Sequence, residues 1–173
     1  MKVIIRQSEE TDLMQILQIH RAAFGRDAES NLVKGLLSSS KKIRELSLVA
    51  CRDDEPEVPL GHILLSSVRL TDSTSERVLA LAPLAVLPAV QRAGIGSALI
   101  EASSDRANDL GYSAIVVLGD GNYYGRFGFE VSCDFGIFPA FEVEKENFRL
   151  KTLASFDKTL KGIVIYPEIF NSV

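Results

Sequence analysis

The sequence predicts an α/β fold built on a mixed sheet, and three observations carry that prediction. Stretches with helical spacing of apolar residues alternate with short extended runs, in the order β, α, α, β, β, β, α, β, α, β, β. One run, Ala-Ile-Val-Val-Leu at residues 114–118, is continuously apolar, the pattern of a parallel strand covered on both faces. A glycine-rich hexapeptide at residues 91–96 sits directly between a strand and the clearest helix.

In chain order, residues 3–6 form a first strand. Ser8 follows as an N-cap, with Glu9 and Glu10 in the first turn of a helix, where their charge complements the helix dipole. Leu13, Ile16, Leu17, His20 and Phe24 recur at helical spacing, and Gly25 ends the segment. A second helix spans 29–37, with Leu32, Val33, Leu36 and Leu37 on one face. Strands follow at 46–51 and 61–70, joined by a polar hairpin loop at 53–59. Residues 71–76 make the next turn. The strand at 77–87 contains Pro83, which has no N–H for a ladder, so the strand is bulged or unpaired there.

The helix at 93–110 places Ile95, Ala98, Leu99, Ala102 and Leu110 on one side and stops at Gly111. After the 114–118 strand, residues 122–126 form a short helix, and 148–153 and 160–166 read as closing strands.

The chain has 173 residues, which suits one domain over 1–173 able to bury a core without a metal or disulfide. Net charge is -4, which disfavours a nucleic-acid partner but does not repel a cationic amine. Cys51 and Cys133 lack metal-ligand spacing, so no metal site is expected and both read as buried thiols. The start does not resemble a signal peptide, because Ser8–Thr11 interrupts its only apolar stretch, and no run reaches the roughly 20 residues of a membrane span. The expectation is a cytoplasmic protein with no membrane partner.

The hexapeptide Gln91-Arg92-Ala93-Gly94-Ile95-Gly96 matters for its place. A helix N-terminus leaves about four N–H groups unpaired and carries roughly half a positive charge, so a pyrophosphate fits there. Gly94 and Gly96 let phosphate oxygens approach the backbone, and Arg92 adds a cation at the rim. A dinucleotide fingerprint needs Gly or Ala where Leu99 stands, and a P-loop needs Gly-Lys-Ser/Thr, which does not occur. An unliganded glycine turn remains the alternative on these residues alone.

With Gln91, Gly94 and Gly96 in place, the segment resembles the acetyl-CoA signature Gln/Arg-x-x-Gly-x-Gly/Ala of the GNAT superfamily of N-acetyltransferases. Tyr124-Gly125-Arg126-Phe127-Gly128-Phe129 resembles that family's Tyr-x-x-x-Gly-Phe element, and residues 118–124 are similar to a bacterial subgroup, the YhbS-like proteins. The resemblance implies one domain with a mixed, mostly antiparallel sheet. Two central parallel strands diverge in it, and helices flank it. It implies acetyl-CoA as co-substrate, held by Leu84, Ala85, Val86, Gln91, Arg92, Ala93, Gly94, Ile95, Gly96, Ser97, Asn122 and Tyr124. The pantetheine arm would meet backbone groups of Leu84 and Val86, as an added strand does. Many members carry an Asn about seven residues before the Tyr. Position 117 is Val here, so Asn122 is the substitute.

Acetyl transfer needs a neutral amine, and neutralising a lysine-like amine at pH 7 costs roughly 4 to 5 kcal/mol. The developing oxyanion needs a donor, which an N–H group near Val86 could supply. The resemblance assigns Tyr124 as general acid for the thiolate. A phenol near pKa 10 beside a thiol near 8.5 makes full transfer uphill by about 2 kcal/mol, so hydrogen bonding matters as much. The base is open. His62 lies on a strand bordering the substrate side, and His20 on the apolar face of the first helix, where histidines are usually core residues. Glu29 could bind a substrate ammonium or stand solvated in its first turn. The partner is a small-molecule or peptide amine, and the protein is a monomer or homodimer. A catalytically silent acyl-CoA sensor on the same fold is the second reading.

Overall fold

A computed structural model describes residues 1–173, all of the chain. It groups into two compact units, and three long elements contribute residues to both.

The first unit comprises 1–66, 82–103 and 168–173. Strand β1 (Val3–Gln7) pairs antiparallel with β2 (Ser47–Arg52), and β2 with β3 (Glu55–Leu70). Here β3 also meets the end of β4 (Val78–Val86), where the Leu87 N–H donates to the Leu60 carbonyl at 2.9 Å. Helix α1 (Leu13–Phe24) buries Ile16, Ile19 and His20, and Gly25 ends it in the left-handed conformation. Helix α2 (Ala28–Ser38) buries Leu32, Val33 and Leu36. Ile16 and Val33 pack with Val49 and Cys51, and Leu32 and Leu36 with Leu64. The amphipathic faces read from sequence are thus the faces that meet strands.

Before α1, the Arg6 guanidinium grips the buried Asp12 carboxylate through both oxygens (2.7 and 2.9 Å), and the Glu9 N–H donates to the same carboxylate at 2.7 Å. Burial opposes ionisation of Asp12, but these partners hold its pKa below the ordinary value.

The second unit comprises 67–81 and 104–167. Here β4 runs parallel to β5 (Ala114–Leu118), in register from Val78↔Ala114 to Ala80↔Val116. Antiparallel pairs join β5 to β8 (Phe148–Thr152) and β8 to β6 (Glu130–Val131). The end of β3 pairs with β9 (Gly162–Ile165), which runs parallel to β7 (Ile137–Phe138). Val68, Val78, Ala80, Ala114, Val116, Phe148 and Leu150 form the core of this unit.

The sheet is mixed and mostly antiparallel, with β4 and β5 the parallel central pair. Several expectations need correction. Strand β3 begins at Glu55, so the hairpin loop expected at 53–59 shrinks to a turn at Asp53 and Asp54. Glu55 to Val58 after that turn are all exposed and only Pro59 is buried, so the strand's first third shows no apolar alternation. Strands β6 and β7 have two residues each, too short for a period to appear. Helix α3 (Ile95–Asp109) starts two residues later than its expected start, and Leu110 and Leu118 at the ends of their elements are exposed. Cys51 is buried, but Cys133 only partly. No helix is long and apolar enough to cross a membrane.

Candidate active site

In the first unit, one candidate region is built at the end of β4. Because the Leu87 N–H points to β3, strand alternation turns the amides of Val86 and Leu84 to the opposite edge. On that edge the β4–β5 ladder stops at Ala80. Leu84 and Val86 are half-buried and Ala85 is buried. Gly61 on β3 is needed here: a Cβ on it would come 3.2 Å from the Ala85 carbonyl and 3.1 Å from both Ile95 and Leu99. Close seating of β3 against β4 and the first turn of α3 depends on that missing side chain.

The loop from Gln91 to Gly94 is exposed. Gln91 Nε2 donates to the Val86 carbonyl at 2.9 Å. The expected cofactor-binding side chain therefore clasps its own backbone. It also occupies one of the two Val86 backbone groups expected to face pantetheine, which leaves the N–H. Arg92 adopts φ 64, a left-handed conformation that costs a non-glycine residue about 1 kcal/mol. Gly94 has φ 84, and a Cβ there would meet nothing within 4 Å. The space over the helix head is open on that side.

The helical ladder opens with the Ala98 N–H donating to the Gly94 carbonyl at 3.0 Å. The amides of Ile95 and Gly96 precede that bond and form the donor end of α3. Ala93, expected as the first helical residue, lies in the loop. Ile95 is buried and anchors the turn, while Gly96 and Ser97 are half-buried. Two positive-φ residues, a side-chain latch and a buried anchor shape the turn that leads into the donor end of α3.

In the second unit, a separate candidate region lies on helix α4 (Gly121–Gly125), which Asp120 caps by accepting the Asn122 N–H at 2.8 Å. Asn122 is exposed. Tyr124 packs edge-on against Tyr123 (centroids 5.1 Å apart) and Phe129 (5.6 Å). Burial pushes its phenol up to about 12. Gly119 makes room for the ring: a Cβ there would lie 2.5 Å from Tyr124 Cε2. Nearby, the Lys151 ammonium donates to the Phe127 carbonyl and sits 5.9 Å from the Phe129 ring centroid. Sequence reasoning missed Gly119 and Lys151 because their roles rest on what folds against them.

Two substrate-side candidates change character. His62 is wholly buried: its Nδ1 pairs with His20 Nε2 at 2.8 Å and its Nε2 with Ser47 Oγ at 2.9 Å. Burial drives its pKa well below the usual value. Glu29 is neither solvated nor free for an ammonium. It is buried, and Arg26 grips both its oxygens, which holds the carboxyl below its usual range. No three His, Cys, Asp or Glu side chains gather in a group that could hold a metal.

The family model described as the acetyltransferase (GNAT) family matches residues 13–129, which include the whole loop and the Tyr124 turn. The chain is 33% identical over 172 residues to YhbS of Escherichia coli strain K12, an uncharacterized N-acetyltransferase, covering 98% of this chain and 99% of that one. The crystal structure of E. coli YhbS in complex with CoA superposes with a TM-score of 0.88 at 30% identity, covering 98% of this chain and 92% of that one. A GNAT family acetyltransferase from Brucella melitensis in complex with acetyl-CoA gives 0.79 at 29% identity, covering 97% of each.

Proposed function

The chain belongs to the acetyltransferase (GNAT) family, and from that premise we propose how its residues divide the reaction. It is an N-acetyltransferase that uses acetyl-CoA as acetyl donor. The observation that carries our reading is the head of α3, where positive-φ Gly94 and the unladdered amides of Ile95 and Gly96 present donors on an open side.

In this reading Gly94, Ile95, Gly96 and Ser97 grip the pyrophosphate through main-chain amides, with Ala93 on the loop beside them. Arg92 neutralises it from the rim. Gln91 shapes the loop through Val86. Leu84 and Val86 offer N–H groups to the pantetheine amides and to the oxyanion that forms on the thioester carbonyl, and Ala85 anchors the strand between them. The acceptor's lone pair attacks that carbonyl, the C–S bond breaks as the tetrahedral intermediate collapses, and CoA leaves as a thiolate.

Tyr124 serves the departing sulfur. A phenol near 12 beside a thiol near 8.5 makes complete proton transfer uphill by about 5 kcal/mol. It therefore stabilises the thiolate as a hydrogen-bond donor, and the final proton comes from water. Asn122, exposed at the start of α4, contacts the pantetheine end. The acceptor is a primary amine on a small molecule or peptide, and the reaction runs in the cytoplasm.

A thiol-release assay with acetyl-CoA and a panel of amines, paired with calorimetry of CoA binding, tests this reading. Release of thiol with one or more amines, with micromolar CoA affinity, is the expected result. No heat of binding at millimolar CoA would overturn it. Tyr124→Phe is expected to lower kcat about 30-fold and leave the acetyl-CoA Kd within twofold. An unchanged kcat removes Tyr124 from the mechanism.

A further inference from the structure

Strand β8 carries two cations toward the Tyr124 turn that the mechanism above does not use. Phe148 and Leu150 face the core, so strand alternation turns Arg149 and Lys151 to the other face, where both are half-buried. Neither makes an ion pair. Their donors end on main-chain carbonyls. Arg149 Nε donates to the Glu146 carbonyl at 2.6 Å, and its Nη1 to the Phe129 carbonyl at 3.3 Å. The Lys151 ammonium donates to the Phe127 carbonyl.

The same two phenylalanines are tied to Tyr124. Their N–H groups both donate to the Tyr124 carbonyl, Phe127 at 3.0 Å and Phe129 at 3.4 Å. The Phe129 ring also packs edge-on against the Tyr124 ring, and the Lys151 ammonium lies 5.9 Å from the Phe129 centroid. Each phenylalanine thus holds Tyr124 through its N–H and a β8 cation through its carbonyl. Gly121, at the start of α4, leaves room for this: a Cβ on it would lie 2.5 Å from Arg149 Nη2.

We propose that Arg149 and Lys151 are positioning residues for acetyl transfer, setting the place of the Tyr124 hydroxyl through the main chain of Phe127 and Phe129. The proposal rests on the role given to Tyr124 above and names what aims that group. A phenol hydroxyl stands at the far end of a rigid ring, so a small tilt at the main chain is magnified there. A misplacement of about 1 Å costs on the order of 100-fold in rate. Helix α4 has 5 residues, too few to fix that tilt by its own hydrogen bonds. Strand β8 can fix it, because it pairs with β5 from Phe148 to Thr152 and with β6 at Arg149 and Leu150. Charge strengthens the hold, since a hydrogen bond from a cation is roughly twice as strong as a neutral one. The planar Arg149 guanidinium bridges two carbonyls at once, which a lysine ammonium on its flexible stem does not reproduce.

Two measurements test the pair, one independent of turnover. The chain has 4 tyrosines, so protein labelled with 3-fluorotyrosine gives a simple 19F spectrum at pH 7, in which Tyr124→Phe identifies the Tyr124 signal. Lys151→Met should shift that signal and leave those of Tyr112 and Tyr166 in place. An unmoved Tyr124 signal overturns the proposal. With an amine that the wild type acetylates, Lys151→Met should lower kcat about tenfold and leave the acetyl-CoA Kd within twofold. In the Tyr124→Phe background the same substitution should cost less than about twofold, since the group it aims is gone. An equal loss in both backgrounds means a packing role and overturns the proposal. Lys151→Arg, which keeps the cation, should restore kcat to within about threefold of wild type. Arg149→Lys should lower kcat about fivefold, and it takes the place of Lys151→Met should that variant not fold. If Tyr124→Phe turns over as fast as wild type, the role given to Tyr124 fails, and the 19F shift still decides whether the two cations place its ring.

Discussion

The loop from Gln91 to Ser97 and the turn from Gly119 to Phe129 solve opposite problems. In the proposed mechanism the loop works with main-chain amides on an exposed helix head, and Gln91 holds the backbone in shape. In the proposed mechanism the turn works through one side chain, Tyr124, whose ring is set by aromatic neighbours and by the absence of a Cβ at Gly119. Binding donated by amides depends on φ and ψ, so only changes that alter the backbone or its charge should damage it. Catalysis by a packed ring depends on volume, so changes remote from the hydroxyl should damage it.

The largest test of that contrast is Gly94→Asp. A carboxylate at φ 84 beside the helix head opposes the diphosphate and strains the backbone. Calorimetry should show acetyl-CoA affinity falling about 100-fold, roughly 3 kcal/mol. If affinity holds, the head of α3 is not the anion site.

Next in size is a pH effect to which the turn contributes through Tyr124. Tyr124 has its phenol raised from 10.0 to about 12 in the fold. The unfolded chain ionises first, so the stabilisation is complete below pH 10 and is lost as pH rises through 12. Its size is about 3 kcal/mol. Denaturant melts across pH 9 to 12 should show this loss, and Tyr124→Phe should reduce it. Absorbance at 295 nm should show Tyr124 and Tyr166, which burial also raises to about 12, ionising late.

Gly119→Ala should follow. A methyl 2.5 Å from Tyr124 Cε2 forces the ring to move. We expect kcat to fall about tenfold with acetyl-CoA binding within twofold. Equal losses in both would mean that the two regions are not separable. Smallest is Gln91→Ala, which removes the bond to the Val86 carbonyl and should weaken acetyl-CoA binding about threefold, near 0.7 kcal/mol, with kcat unchanged.

The two regions also differed in how legible they were. Gln91, Gly94 and Gly96 could be read in place because a strand-to-helix phosphate turn is a local object, specified by neighbours in sequence. Helices α1 and α2 were legible for the same reason, since Ile16, Leu32, Val33 and Leu36 repeat at the helical period and are buried on that face. Strand β3 was half legible: its exposed start at Glu55 to Val58 carries no apolar alternation. The burial of His62 and Glu29 was not legible, because whether a polar residue is buried depends on the partners folded onto it. Those partners, Ser47, His20 and Arg26, were invisible in a one-residue reading.

The sequence by itself determined the α/β order, the glycine-rich strand-to-helix turn and the tyrosine motif, since each is written within a few adjacent residues. Only the tertiary structure decided that Gln91 latches Val86 and that Gly119 makes room for Tyr124. It alone also revealed that two serines and two histidines, spread from residue 8 to residue 62, line up inside one unit. Such contacts join positions far apart along the chain, and hydrogen-bond distance is a property that spacing in sequence does not encode.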